Sequence, residues 1–242
     1  MATLKSIRQR IKTAKNIQQI TRAMKLVAAA RLKKATDRVL EARPYSDKLR
    51  ELMLNMSNAG ELPQHPLMEK RPIRRIALIL ITAERGLAGS YNTNLLRRAS
   101  DWLKTLEHEA QLLSVGKKGS QFFSKRGYAV VYNRTLPTAG ATFEDAQEVA
   151  RTARELYESG QADAVYICYS KFYSAIRQVP QIVQLLPIEA PVGDEGSSAN
   201  SGEVAYKFEP SAEQILSTLL PRYFLTLVWQ ALLEATASEH GA

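Results

Sequence analysis

Residues 6–35 read SIRQRIKTAKNIQQITRAMKLVAAARLKKA. Leu4, Ile7, Ile11, Ala14, Ile17, Ile20, Met24 and Val27 step by three or four, the spacing of one face of a helix. Lys5, Arg8, Arg10, Lys12, Lys15, Arg22 and Lys25 lie between them. No Gly and only one Pro, Pro44, falls between Leu4 and Met56, so the pattern predicts one very long helix. Fifty such residues would span about 75 Å, wider than any single-domain core. A helix of that length signals a coiled coil or a helical array. The apolar stripe is narrow and runs into Ala28, Ala29 and Ala30, which suits close contact with another helix. Pro44 lacks an N–H and clashes with the preceding turn, so a kink or break is expected at 42–45.

The charge is as uneven as the pattern. The 242 residues carry a net charge of +9, yet residues 1–50 hold fourteen Lys/Arg against three Asp/Glu and the rest of the chain is slightly acidic. The first acid is Asp37. A near-neutral body therefore carries one strongly basic arm, and such an arm calls for an acidic partner. Ordinary apolar content excludes bulk disorder. No contiguous apolar run approaches the length of a membrane span, and no apolar signal core follows the basic N-terminus. A single cysteine, Cys168, can form no internal disulfide, which fits a reducing compartment.

Beyond a connector at 58–72, with Gly60, Pro63, Pro66 and Pro72, the pattern changes. Residues 74–82, RRIALILIT, form a continuous apolar run that predicts a strand buried on both faces. A Gly-containing turn and a helix over 92–108 follow. Strands are expected at 110–115, 128–132 and 162–170, and helices at 117–126 and 143–159. A last strand is expected at 179–186, where Pro180 favours a sheet edge. This alternation predicts an α/β body, with a mostly parallel sheet covered by helices, over 73–192. Residues 193–208, small and polar, read as a flexible loop. From 209 a second long helix is expected, with Ser211 and Gln214 at capping-box spacing and Pro221 kinking or dividing it.

The motifs for chemistry are weak. Arg85, Gly86, Leu87, Ala88, Gly89 and Ser90 lie between a strand and a helix, where doubly wound folds bind phosphate, but match neither dinucleotide nor P-loop spacing. A tight turn is the better reading. Gly116-Lys117-Lys118-Gly119 is a P-loop in the wrong order. His65, His108 and His240 share no ligand spacing, no serine sits in a nucleophile elbow, and Cys168 lies in an apolar strand. No catalytic residue, cofactor or metal is expected. The basic arm has no aromatic residue before Tyr45, which disfavours stacking on nucleic acid and anchoring in a membrane surface. A protein-binding helix is the leading reading of the arm. A nucleic-acid- or anion-binding α/β protein, and a small enzyme using the Gly86–Ser90 turn, are the alternatives.

The N-terminal run, followed by ARPY at 42–45, closely resembles the gamma subunit of F-type ATP synthases. ITAERGLAGSYNTNL at 81–95 is similar to that family's segment after its first strand, with Glu84 where Asp is usual and Ala88 where Cys is often found. SVGKKGSQFF, YSKF, QVPQIVQLLPI, LLPRYF and ASEH extend the resemblance over nearly the whole chain. The resemblance implies a Rossmann-like body and a central-stalk rotor. In this family the N-terminal helix pairs in a coiled coil inside the alpha–beta hexamer, and the body contacts the epsilon subunit and the membrane c-ring. ATP binds on alpha and beta. The chain would then be a non-catalytic subunit without cofactor, nucleic-acid partner or membrane span of its own, on the cytoplasmic side of the energy-coupling membrane. Met24 matches the family's coupling-sensitive methionine in its I-T-x-A-M segment. Arg8, Arg10, Lys25, Lys33 and Lys34 are candidate basic contacts with an acidic loop of beta. Ile7, Ile11, Ile17, Ile20 and Val27 form the candidate coiled-coil stripe, and Arg85, Gly86, Leu87 and Gly89 the body turn motif.

Family members continue beyond the ASEH segment into a C-terminal shaft helix, of which residues 209–242 would be only the start. Residues 1–57 would form the N-terminal half of the shaft. Without its usual partner the stripe gains little tertiary support. Amides of residues 4–30 in the free chain are therefore expected to exchange rapidly, and full protection there by hydrogen exchange would contradict the reading.

Overall fold

A computed structural model describes residues 3–58, 65–137, 139–189 and 211–242. The predicted loop at 193–208, the first residues of the predicted second helix and the middle of the connector lie outside the described residues.

The apolar run at 74–82 becomes β1 (Arg75–Ile81), the centre of a five-stranded sheet. Its side chains alternate between two helical layers. Ala77, Ile79 and Ile81 face a cluster that includes Val149 and Ala153 of α4 (Phe143–Glu158) and Leu216, Leu220 and Phe224 of α5 (Ala212–Gly241). Leu78 and Leu80 face Leu95, Ala99 and Leu103 of α2 (Tyr91–Lys104) and Phe123 of α3 (Lys117–Ser124). A strand with apolar side chains on both faces can only be satisfied by such a sandwich. Each fully buried Leu or Ile contributes on the order of 2 kcal/mol.

The sheet order is β3-β2-β1-β4-β5, with β2 at Glu109–Val115, β3 at Ala129–Arg134, β4 at Ala164–Ser174 and β5 at Arg177–Leu186. The first four strands are parallel, and β5 returns antiparallel to β4 on the edge. The fold is thus α/β with a Rossmann-like, mostly parallel sheet, as expected. Helix α2 stops at Lys104 rather than 108, where the Thr105 hydroxyl bonds back to the Trp102 carbonyl.

Helix α1 (Leu4–Asn58) is unbroken for 55 residues, about 80 Å. The expected break at Pro44 does not occur. Pro44 is exposed, while Val39 and Leu49 on either side are buried and keep the helix continuous through it. The Ser46 hydroxyl also donates to the Ala42 carbonyl, at 3.2 Å. Pro221 likewise fails to divide α5, because Leu220 and Phe224 are both fully buried around it. Ser211 caps α5 by accepting the Gln214 N–H, at the predicted spacing.

Helix α5 also corrects the reading of the membrane signal. Over Glu213–Gly241 it is long and apolar enough to cross a bilayer by length and composition. Interspersed Ser, Thr and Gln hide this from a search for contiguous runs. In the fold its apolar residues face the sheet, α4 and α1 at once, and a helix apolar all round is what such a position requires.

Gly116 joins β2 to α3 at φ +95°, where a Cβ would lie 2.0 Å from the Thr82 carbonyl oxygen. Substitution by Ala must both strain the backbone and push apart two central loops. Gly116→Ala is expected to cost about 2–4 kcal/mol, read as a lower denaturation midpoint.

Candidate functional site

Helix α1 has two parts. Its lower half packs on α5 and the body through Leu32, Ala35, Val39, Ala42, Ser46, Leu49 and Met53, of which Ala35, Val39, Ser46, Leu49 and Met53 are buried. These positions step by three and four without exception, the heptad spacing that keeps a seam on one side of a helix. Sequence reading named only the stripe above them. The seam escaped because Ser46 and two alanines dilute its apolar signal, although its 3-4 step was there to be counted.

The upper half, about 40 Å of helix, extends into solvent. The stripe residues Ile7, Ile11, Ile17, Ile20 and Val27 are 45–58% exposed, and Met24 48%. Arg8, Arg10, Lys25, Lys33 and Lys34 are exposed as well. The helix carries no acid before Asp37, so its upper half offers no neighbouring carboxylate to its own cations. Val27 lies about one and a half turns, and Met24 a little over two turns, above the first seam residue, Leu32, near the level where the arm leaves the body.

The body turn motif sits beside the C-terminal end of α5. Leu87 is 93% exposed at φ +67°, while Ala88 beneath it packs with Ala83 and Tyr91. Arg85, Gly86 and Gly89 are exposed. Asn92 ties the turn down, accepting from the Ala83 N–H and donating to the Arg85 carbonyl. In a doubly wound sheet ligands enter where the strand order reverses, here between β1 and β4. That crevice is filled by the last turns of α5. The Tyr91 hydroxyl donates to the Ala235 carbonyl, the Ser238 hydroxyl to the Ser170 carbonyl, and the Ala242 carbonyl lies 3.4 Å from where a Gly89 Cβ would stand.

The second phosphate-like motif is closed in a different way. At the start of α3 the Gly119 N–H donates to the Thr82 hydroxyl oxygen and the Lys118 N–H to the Ala83 carbonyl, so these donors are already engaged. Among the described residues no three His, Cys, Asp or Glu side chains converge as metal ligands. Cys168 is fully buried, which pushes its thiol up to about 12 and leaves it without thiolate character. Two open clefts of about 530 and 510 Å³ flank the edge-to-face Phe143–Trp229 pair, along the joint of α1, α4 and α5 rather than at the strand ends.

Two electrostatic features surround the joint. Arg134 at the end of β3 bonds Asp145 at 2.8 Å and also Glu148, clamping α4 to the sheet edge. Burial works against the Asp145 charge, but the Thr142 hydroxyl and N–H and the Arg134 guanidinium outweigh it and hold the carboxyl below its usual range. Glu239, near the end of α5, is the opposite case. Burial, reinforced by the negative charge of Glu84, pushes its carboxyl up to about 7, against the pull of Arg31.

A Rossmann-like body with a projecting, basic, apolar-striped helix, its ligand crevice plugged by its own C-terminal helix, defines a stalk-forming α/β protein. Residues 3–242 match the family model described as ATP synthase. The chain is 43% identical over 244 residues to the ATP synthase gamma chain of Brevibacillus brevis, covering 99% of this chain and 83% of that one. It is 42% identical over 242 residues to that of Desulfitobacterium hafniense, covering 100% and 84%. The solved central stalk and c-ring of the Tetrahymena thermophila mitochondrial ATP synthase contains a chain of similar structure, with a TM-score of 0.65 at 25% identity over 92% of this chain and 95% of that one. The chain belongs to the gamma-chain family of ATP synthases, the rotor subunits of the central stalk. Membership favours the rotor reading over the nucleic-acid-binding alternative.

The raised value at Glu239 has a consequence for stability. Its folded value exceeds the ordinary 4.5, so its contribution is fully present below that pH and is lost as pH rises through about 7. Thermal melts of the chain should show this loss, and Glu239→Gln should flatten it.

Proposed function

We propose that this chain is the non-catalytic shaft of an F-type ATP synthase, coupling rotation of an ion-driven ring to conformational change at the beta-subunit catalytic sites. The observation that carries the reading is the upper half of α1: about 40 Å of helix, striped with half-exposed Ile, Met and Val, whose charged residues are all cations. Such a surface is complete only inside a partner that covers the stripe and supplies acids. In this reading the partner is the alpha–beta hexamer, and Arg8, Arg10, Lys25, Lys33 and Lys34 face its acidic loop. Ile7, Ile11, Ile17, Ile20 and Val27 are the coiled-coil stripe, and Met24 the coupling-sensitive position. Arg85, Gly86, Leu87 and Gly89, beside the end of α5, form the body's contact with the partner. The body over 73–192 takes the epsilon subunit and the membrane c-ring, on the cytoplasmic side of the membrane. Residues 1–57 are the shaft helix and 209–242 its second strand as far as this sequence extends.

Mechanically, a rotor needs asymmetry and stiffness more than individual hydrogen bonds. A helix anchored at one end by a buried heptad seam supplies stiffness. Its off-axis bulk at Met24–Val27 presents a different face to each catalytic site in turn.

Reconstitution tests the reading. Mixed with an F-type alpha–beta hexamer, the chain should be retained at one copy per hexamer and should alter ATP turnover, whereas failure to bind would overturn the assignment. In the assembled enzyme, Met24→Lys should lower ions pumped per ATP more than it lowers hydrolysis, since it adds charge to a surface already basic. Unchanged pumping per ATP would count against the role given to Met24.

A further inference from the structure

Glu234 is a carboxylate that the shaft reading leaves without a task. It lies on α5 at 1% exposure, deep in the joint between shaft and sheet. β1 pairs with β4 only as far as Leu80 opposite Cys168, yet β4 runs on to Ser174. Past Cys168 the β4 edge toward β1 has no strand beside it among the described residues. On the other edge, Pro180 stands opposite Ser170 and has no N–H to give.

Two β4 backbone groups in this stretch are taken up by side chains of α5. The Phe172 N–H donates to Glu234 Oε2 at 3.4 Å, and the Ser238 hydroxyl donates to the Ser170 carbonyl at 2.9 Å. The spacings match, since four helical residues rise about 6 Å and two strand residues about 6.7 Å. The helix therefore continues the ladder that β1 leaves unfinished, and neither buried group is orphaned.

The network reaches the shaft. Glu234 Oε1 accepts from Gln230 Nε2 at 3.2 Å, and Gln230 Oε1 shares the single proton of the Ser46 hydroxyl of α1 with the Ala42 carbonyl, each at 3.2 Å. Burial raises the Glu234 carboxyl above its usual range, while Gln230, Lys171 of β4, the Phe172 N–H and Arg43 of α1 favour its ionised form. Around this chain the contact is apolar, through Ala35, Val39, Phe172, Leu233 and Ala237. Apolar contact is non-directional and permits a helix to slide or roll, whereas hydrogen bonds of fixed geometry do not.

We propose that Glu234, Ser238 and the Gln230–Ser46 pair are positioning residues that lock the axial and rotational register of the shaft helices on the sheet, so that body and shaft turn as one piece. The proposal rests on the rotor reading for its functional consequence, but its structural half can be read on the chain alone.

The test compares wild type with Glu234→Leu, Ser238→Ala and Glu234→Gln, each in the full chain. In the free protein, amide exchange at Phe172 should rise about tenfold in Glu234→Leu, the scale of one lost buried hydrogen bond, while Leu78 and Leu80 stay protected. After assembly with an alpha–beta hexamer and membrane ring, Glu234→Leu and Ser238→Ala should pump fewer ions per ATP hydrolysed. Glu234→Gln retains an acceptor for Phe172 and should restore both readouts. Unchanged Phe172 exchange in Glu234→Leu, or an unchanged pumping ratio in both disrupting variants, would overturn the proposal. So would a Glu234→Gln protein as defective as Glu234→Leu. Should Glu234→Leu fail to fold, Ser238→Ala removes a single hydroxyl and carries the coupling test. A wild-type chain that does not bind the hexamer refutes the rotor reading instead, and exchange at Phe172 then decides the register lock by itself.

Discussion

Burial of the α1 seam against α5 and the sheet is the contact on which the two halves of the molecule depend. From Leu32 to Met53 the seam keeps a 3-4 step, and that step holds α1 in one orientation across Pro44. If α1 ended at Pro44 the arm would hang from a hinge. Because it does not, a surface as remote as Leu4 belongs to the same continuous helix as the core residue Met53. Continuity of one helix thus links a body that is ordinary α/β to an arm that no ordinary α/β protein has.

The same helix packing explains the silence of the nucleotide crevice. Doubly wound sheets leave a gap where strand order reverses, and peptide groups around that gap bind phosphate in many folds. Here Ala235, Ser238 and the residues after them occupy it, and Thr82 engages the first turn of α3. The architecture was kept and its ligand space was given over to a helix. A turn such as Arg85–Ser90 can therefore look like half a binding motif while serving to seat α5.

Much of this was legible in the sequence, for identifiable reasons. β1 was plain because the unbroken apolar run Ile76–Ile81, half of it isoleucine, admits few other readings. The arm was plain from its spacing and its lack of acids. Pro44 and Pro221 misled because local rules count the lost hydrogen bond but not the burial on either side, and here tertiary packing won. The apolar reach of α5 was missed because its Ser, Thr and Gln broke the run while its helical faces stayed apolar. Glu234 could not have been found at all: its role arises only where β4 outruns β1, and strand lengths are among the least certain readings from a single chain.

The charge on the upper arm also governs how the subunit behaves before it meets its partners. A half-exposed stripe of isoleucines would ordinarily invite two copies to zip together. Any such pairing would bring ten cations on each arm, with no acid among residues 1–34, to within a few ångströms of their counterparts. Like-charge repulsion thus works against the homodimer while leaving the stripe open to an acidic neighbour. On the rotor reading proposed above, the same basic residues keep newly made chains apart before a partner covers the stripe.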